Sequence, residues 1–247
     1  MPAERRPFLT AEWRDLLLLN YDVDPALLRP LVPAGTELDS WEGRTLVSMV
    51  GFRFLGTRVL GCAVPGHGDF DEVNLRFYVR RDVDGAPPRR GVVFIRELVA
   101  RRAVAWAARL VYGEPYLRVP MSHSVVRAGG TGARLDRISY GWRLRGKEWR
   151  ISGRVASLPE PLARPSEAEF VTEHYWGYTR QRGGGTLEYE VEHPPWKVAS
   201  VSEARFEAPS PTLYGAPLTE ALVRPPRSAF YADGSAVTVL RGREIGR

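Results

Sequence analysis

The chain has 247 residues, of which 44% are hydrophobic and 26% charged, with a formal net charge of +6 and one cysteine, Cys62. That length can bury a sizeable core, as one large β-rich domain or two small ones. A lone cysteine excludes an internal disulfide and any thiolate cluster; no run approaches the ~18 apolar residues of a membrane span, and Met1 to Pro7 lacks a signal peptide's apolar stretch, so a cytoplasmic setting is expected.

The positive charge invites a nucleic-acid reading, and its distribution argues against one. Lys147 and Lys197 are the only lysines. The remaining cations are arginines spread from end to end, with no block and no stripe interleaved with aromatics, as a solvated surface requires. Neither a nucleic-acid partner nor a membrane partner is expected.

In chain order, Leu16–Tyr21 reads as a short apolar strand. Asp24 then caps a brief helix with Pro25 in its first turn, running to about Leu31. Pro33-Ala-Gly35 turns the chain, and Trp41-Glu-Gly-Arg44 is a tight connection into a strand over Thr45–Phe54. Gly56 to Gly68 reads as a loop. A strand follows over 70–80, where period-2 alternation puts Val73, Leu75, Phe77 and Val79 on one face and Glu72, Asn74, Arg76 and Tyr78 on the other. Asp82 to Arg90 reads as a turn, and Gly91 to Val99 as a largely buried strand in which Arg96 and Glu97 point to opposite faces. Arg101 to Tyr112 is alanine-rich and places Ala103, Trp106, Ala107 and Leu110 on one stripe, the pattern of an amphipathic helix. Gly113 can end that helix in a left-handed conformation, and Pro115 stops its restart, delivering Glu114 and Tyr116 on a short rigid turn.

Two hairpins are predicted beyond this point. Arg137–Leu144 joins Glu148–Val155 across Arg145-Gly146-Lys147, and Tyr175–Gln181 joins Thr186–Glu192 across Gly183-Gly184-Gly185. Pro159, Pro161 and Pro165 mark a loop between them. From about residue 209 the chain reads as a Pro-rich arm, with one more strand at Ala236–Leu240 and a frayed end. With no linker or repeat, the reading is a single domain over 1–247, mostly antiparallel β and closed or half closed.

Several constellations could carry chemistry. Glu72 and Arg76 lie about 13 Å apart along their strand at ~3.3 Å per residue, enough to flank a small acid. If the second hairpin pairs in register, Glu173 and His193 meet at its open end, where a carboxylate can orient an imidazole and raise its pKa. His67 and His123 lie in Gly-rich and Ser-rich stretches, and no histidine pair has metal-ligand spacing, so no metal and no cofactor is expected. Gly183-Gly184-Gly185 lacks the strand-then-helix context of a phosphate loop, and there is no G-x-S-x-G elbow.

Arg109-Leu-Val-Tyr-Gly-Glu-Pro-Tyr116-Leu resembles the acetoacetate decarboxylase segment Arg-Glu-Ile-Trp-Gly-Phe-Pro-Lys, whose lysine forms the Schiff base. Phe70-Asp-Glu-Val-Asn-Leu-Arg-Phe-Tyr-Val79 and His193-Pro-Pro-Trp196 resemble one branch of that superfamily, the DUF2071 (YqjF-like) proteins. With Trp13, Asp24-Pro25, Leu31-Val-Pro33 and Thr172-Glu173-His174-Tyr175, the likeness covers about residues 8–200. It implies an acetoacetate decarboxylase-like cone-shaped antiparallel barrel with a flanking sheet and a few short helices. Where the resemblance places the lysine, this chain has Tyr116, which cannot form an imine.

The expectation is therefore an enzyme or binder of a small carboxylic or keto acid held by arginine in a barrel pocket. Glu72, Arg76, Tyr116, Glu173 and His193 are the candidate catalytic groups; Asn74, Tyr78, Glu114 and Trp196 are the candidate substrate contacts. Any turnover would be proton transfer of the lyase, isomerase or hydratase type. The alternative is a non-catalytic ligand-sensing or structural barrel; a homo-oligomer is compatible with either.

Overall fold

The computed structural model describes residues 7–63, 65–66, 68–100, 113, 115–128, 134–181 and 183–245. The helix expected over 101–112, Glu114 and His67 lie outside them.

Long strands dominate. β1 (Pro7–Asp22), β3 (Leu46–Val59), β5 (Phe70–Val83) and β6 (Ala86–Val99) pair antiparallel in that order. β2 (Glu37–Leu38) and β4 (Cys62–Ala63) are short additions to β5 and β3. β7 (Tyr116–Arg118) adds to β6 in parallel. β11 (Trp176–Arg180) lies parallel to β6 through Trp176↔Gly91, and pairs on its other side with β12 (Thr186–Glu192). β12 reaches β14 (Ser228–Leu240) through Val191↔Val239, and β14 returns to β1. The order β12-β11-β6-β5-β3-β1-β14 thereby closes into a barrel. Register shifts in β1, with Asp15 at φ 55°, supply the bends that closure needs.

β14 also leads outward. It pairs with β13 (Val198–Glu207), which continues through β10 (Lys147–Val155), β9 (Arg134–Leu144) and β8 (Met121–Ala128) as the flanking sheet. Among the described residues there are three short α-helices: α1 (Pro25–Leu28), α2 (Glu167–Thr172) and α3 (Ala216–Leu222). Asp24 caps α1, its Oδ1 accepting from the Ala26 N–H at 2.8 Å, and a 3₁₀ turn carries the chain on to Leu31.

Among the described residues two large apolar cores form, beside a small cluster around Tyr189 and Val191. The outer one lies between barrel and flanking sheet, where Val73, Leu75, Phe77 and Val79 of β5 meet Tyr140, Trp142, Trp149 and Ile151. The inner one fills the barrel with Leu16, Leu18, Val50, Phe52, Phe70, Phe170 and Trp196.

The structure corrects several boundaries. Gly56–Gly68 is not wholly a loop, since β3 runs to Val59 and β4 pairs back on it. Asp82–Arg90 is not a long turn: Arg80↔Arg90 and Arg81↔Arg89 extend the ladder and leave Asp84-Gly85 as the reversal. Each proline or glycine there lowers strand propensity, but the register set by the apolar stretch carries pairing outward. The second hairpin begins at Trp176, one residue after its expected start, and the segment before it is α2, which ends at Thr172 with Glu173 as its C-cap. The stretch from 209 is no irregular arm. β14 sits between β1 and β13 with pairing over Asn20↔Ser228 to Pro7↔Leu240, and Arg243–Ile245 (β15) pairs with β12 instead of fraying. Ala236–Leu240 is the end of this longer strand, whose first half follows a cluster of prolines and whose partner β1 lies over two hundred residues away in sequence.

Gly234 lies on β14 opposite Arg14 at φ 86°, and a Cβ there would drive into the Trp13 carbonyl oxygen. Gly85 has a similar φ of 70° with open space around it. Gly234→Ala should therefore cost roughly 2–4 kcal/mol in chemical denaturation and Gly85→Ala about 1 kcal/mol, strain alone.

Candidate functional site

The inner face of β5 carries polar groups into the barrel. Glu72 and Asn74 are each 2% exposed, Tyr78 is buried and Arg76 half-buried. Cross-strand pairing extends them into two rows. One runs Ser228–Asn20–Ser48–Arg76–Phe94 and the next Phe230–Leu18–Val50–Asn74–Glu97–Tyr116. With strands about 4.8 Å apart, each row is a continuous line of facing side chains. Asn20, Ser48 and Glu97 thus join the site by register alone.

Buried polar groups need partners, and most of these have them. The Asn74 amide donates to Glu72 Oε1 at 3.1 Å, and the Tyr116 hydroxyl donates to Glu72 Oε2 at 3.3 Å. Ser48 Oγ donates to Asn20 Oδ1 at 2.6 Å and shares a hydrogen bond with the Tyr78 hydroxyl. Asn20 Nδ2 donates to Ser228 Oγ at 2.9 Å, which in turn donates to Glu167 Oε1 at 2.5 Å at the start of α2. The far end of α2 approaches the same face. The Val171 carbonyl accepts from Arg76 at 2.9 Å and from the Tyr78 hydroxyl at 3.4 Å. A helix C-terminus favours a cation, so the guanidinium is well placed there.

Residues 173–175 and 193–196 wall this region. The Tyr175 hydroxyl donates to Glu173 Oε2 at 2.5 Å, and Arg164 lies 3.6 Å from the same oxygen. Burial, then that hydrogen bond, raises the Tyr175 phenol above its ordinary range. His193 stacks on Trp196 at 4.3 Å between ring centroids, and its Nδ1–H donates to the Pro194 carbonyl at 3.0 Å. Glu173 acts on it only through space. Burial lowers the His193 imidazole below its ordinary range; the Pro194 carbonyl and Glu173 pull upward without reversing the shift. The expected carboxylate-raised imidazole is therefore corrected, because desolvation outweighs the charge. Trp196 spends its N–H on Ser235 Oγ at 2.9 Å and packs in the inner core.

His174 carried no role in the sequence reading. It is 7% exposed, tilted over Tyr78 at 4.6 Å, with Phe170 edge-on at 5.6 Å. Neither ring nitrogen has a hydrogen-bond partner among the described residues. Burial, then the Arg90 and Arg76 charges, lowers its pKa well below the ordinary value, so the ring is neutral at pH 7. Its position in coil between α2 and β11 gave no periodicity by which to find it.

Arg96 and Glu97 do face opposite ways. Arg96 pairs with Leu75 on the outer face, and Glu97 with Asn74 inside. Both lysines are exposed, Lys147 at the hairpin turn and Lys197 beyond Trp196. Gly113 has the left-handed φ of 71° expected of a helix cap. Among the described residues no group of three potential ligands could hold a metal ion, and no helix is long and apolar enough to cross a membrane.

The neutral state of His174 has a consequence for stability. Its unfolded form titrates near pH ~6.5, while the folded ring resists the proton, so the unfolded state binds more protons below that pH. Folding stability should fall as pH drops from 6.5 toward 5, by up to about 1.4 kcal/mol per pH unit from this group. Urea denaturation across that range should show a shallower pH dependence in His174→Gln.

Comparison with solved structures supports the same fold. Acetoacetate decarboxylase from Legionella pneumophila superposes with a TM-score of 0.68 at 16% identity, covering 100% of this chain and 92% of that one. The enduracididine biosynthesis enzyme MppR complexed with pyruvate gives a TM-score of 0.65 at 17% identity, over 99% of this chain and 93% of that one. In sequence, the uncharacterized protein YqjF of Bacillus subtilis is 31% identical over 186 residues, 74% of this chain and 72% of YqjF. The model of the DUF2071 family, described as an uncharacterized conserved protein, matches residues 10–236, and the chain belongs to that family.

Proposed function

We propose that the barrel interior binds a small carboxylic acid through Arg76 and acts on it, if at all, by proton transfer. The observation that carries this reading is the state of Arg76. Arg81 and Arg89, 23% and 22% exposed, both neutralise Glu188, and Arg53 reaches Asp15 at 3.3 Å. Arg76 is likewise half-buried, yet among the described residues it makes no ion pair; it donates to the Val171 carbonyl, and its Nε is buried without a partner. Arg96 also has a buried, unpartnered Nε, but it lies on the outer face. A desolvated guanidinium without a carboxylate is costly, and a ligand carboxylate in its fork removes that cost.

The neighbouring groups suit proton chemistry. Glu72 can accept a proton and Tyr116 can donate one, and the two already share a hydrogen bond of 3.3 Å. Imine chemistry is not part of the proposal. Tyr116 sits on β7 opposite Glu97, and a phenol forms no Schiff base. Lys197 is exposed, outside the inner core that Trp196 joins.

Two measurements test this. In a thermal-shift screen of small organic acids, at least one acid should raise the wild-type melting temperature and lose that effect in Arg76→Ala; an acid that stabilises both equally would remove Arg76 from the site. Incubation with acetoacetate or pyruvate followed by borohydride should leave the intact mass unchanged, whereas an adduct mapping to Lys197 would reinstate imine chemistry.

A further inference from the structure

We infer that the acid bound at Arg76 is one that also carries a hydroxyl or amino group, and that Glu173, His174 and Asn74 read that second group. The inference rests on the Arg76 reading and adds the class of ligand to it. Its basis is the valence of five buried polar atoms that have no hydrogen-bond partner among the described residues: Arg76 Nε, Asn74 Oδ1, Glu173 Oε1 and both nitrogens of His174. Asn74, Glu173 and His174 are 2%, 8% and 7% exposed, so bulk water does not satisfy them.

These groups share one neighbourhood. Arg76 and Asn74 are alternate residues on the inner face of β5. Arg76 is tied to the Val171 carbonyl, two residues before Glu173, and His174 lies over Tyr78, whose hydroxyl meets the same carbonyl. His193 feels the charges of both Glu173 and Arg76. Glu173 Oε2 is occupied by Tyr175 and Arg164, and Oε1 is the carboxylate oxygen left without a hydrogen-bond partner among the described residues.

The count is asymmetric. Arg76 Nε and the protonated nitrogen of a neutral His174 are donors seeking acceptors. Asn74 Oδ1, Glu173 Oε1 and the other His174 nitrogen are acceptors seeking donors. A plain carboxylate brings acceptors only and answers Arg76 while leaving three buried acceptors bare. A ketone oxygen adds one more acceptor and no donor. A hydroxyl or an ammonium brings the missing protons. A site whose buried polar groups stay unpaired rejects the deficient analogue, by about tenfold for each group unmet.

Isothermal titration of the whole chain with butyrate, 2-oxobutyrate, 2-hydroxybutyrate, 3-hydroxybutyrate and 2-aminobutyrate tests the inference. A hydroxy or amino acid should bind at least tenfold more tightly than both butyrate and 2-oxobutyrate. Arg76→Ala should weaken all five, and Glu173→Gln should reduce the ratio between the substituted and plain acids. The wild-type ranking decides the matter even where a variant does not fold. Equal affinities that are all lost in Arg76→Ala would overturn the inference and leave the Arg76 reading standing. Absence of binding by every acid would overturn both.

Discussion

Between Glu72 and Val79, β5 is covered on both faces, with only Arg76 partly exposed, and the rest of the structure answers to that constraint. Its odd positions press Val73, Leu75, Phe77 and Val79 against the flanking sheet; its even positions turn inward with Glu72, Asn74, Arg76 and Tyr78. An apolar outer face needs a second sheet to cover it, which β8–β10 and β13 provide. A polar inner face needs partners at every group, which the cross-strand rows and the C-terminal end of α2 provide. Removing either cover would expose a large apolar surface or orphan buried donors and acceptors.

Arginine plays two distinct parts on this scaffold. At the outer end of the β5–β6 hairpin, Glu188 is fully buried and receives Arg81, Arg89 and Arg243, with the Tyr178 hydroxyl as a further donor at 3.2 Å. Burial pushes its carboxyl upward, and the three guanidiniums overcome that and hold it below the ordinary range. This cluster fastens the hairpin, β12 and the C-terminal β15 together, so its charges are spent on structure. Inside the barrel Arg76 is set against the Val171 carbonyl and, among the described residues, makes no ion pair.

The structural neighbours show the fold and leave the chemistry to this chain's own residues, because identities of 16–17% carry a framework and not a site. Tyr116 illustrates the difference. It lies on β7 beside Glu97 and meets Glu72, where an acid and a base can exchange a proton but no carbonyl can be captured as an imine.

The alternation of Phe70–Val79 determined which side chains share a face, and the turns at Trp41–Arg44 and Arg145-Gly146 were readable from glycine at positive φ. Asp24 as a cap and the hairpin over β11 and β12 were likewise local matters, settled by residues close in sequence. What no local pattern could settle was the partner across each strand. Asn20, Ser48 and Ser228 lie in three distant segments, and only the antiparallel register of β14, β1, β3 and β5 brings them into line with Arg76. Only the end of β14, Ala236–Leu240, was readable; its first half follows a run of prolines and is held by pairing with β1 and β13 and not by its own composition. His174 depended wholly on the tertiary structure: a short coil has no period, and the burial that keeps its ring neutral comes from Tyr78, Phe170 and Arg76, which the closing of the barrel brings to it.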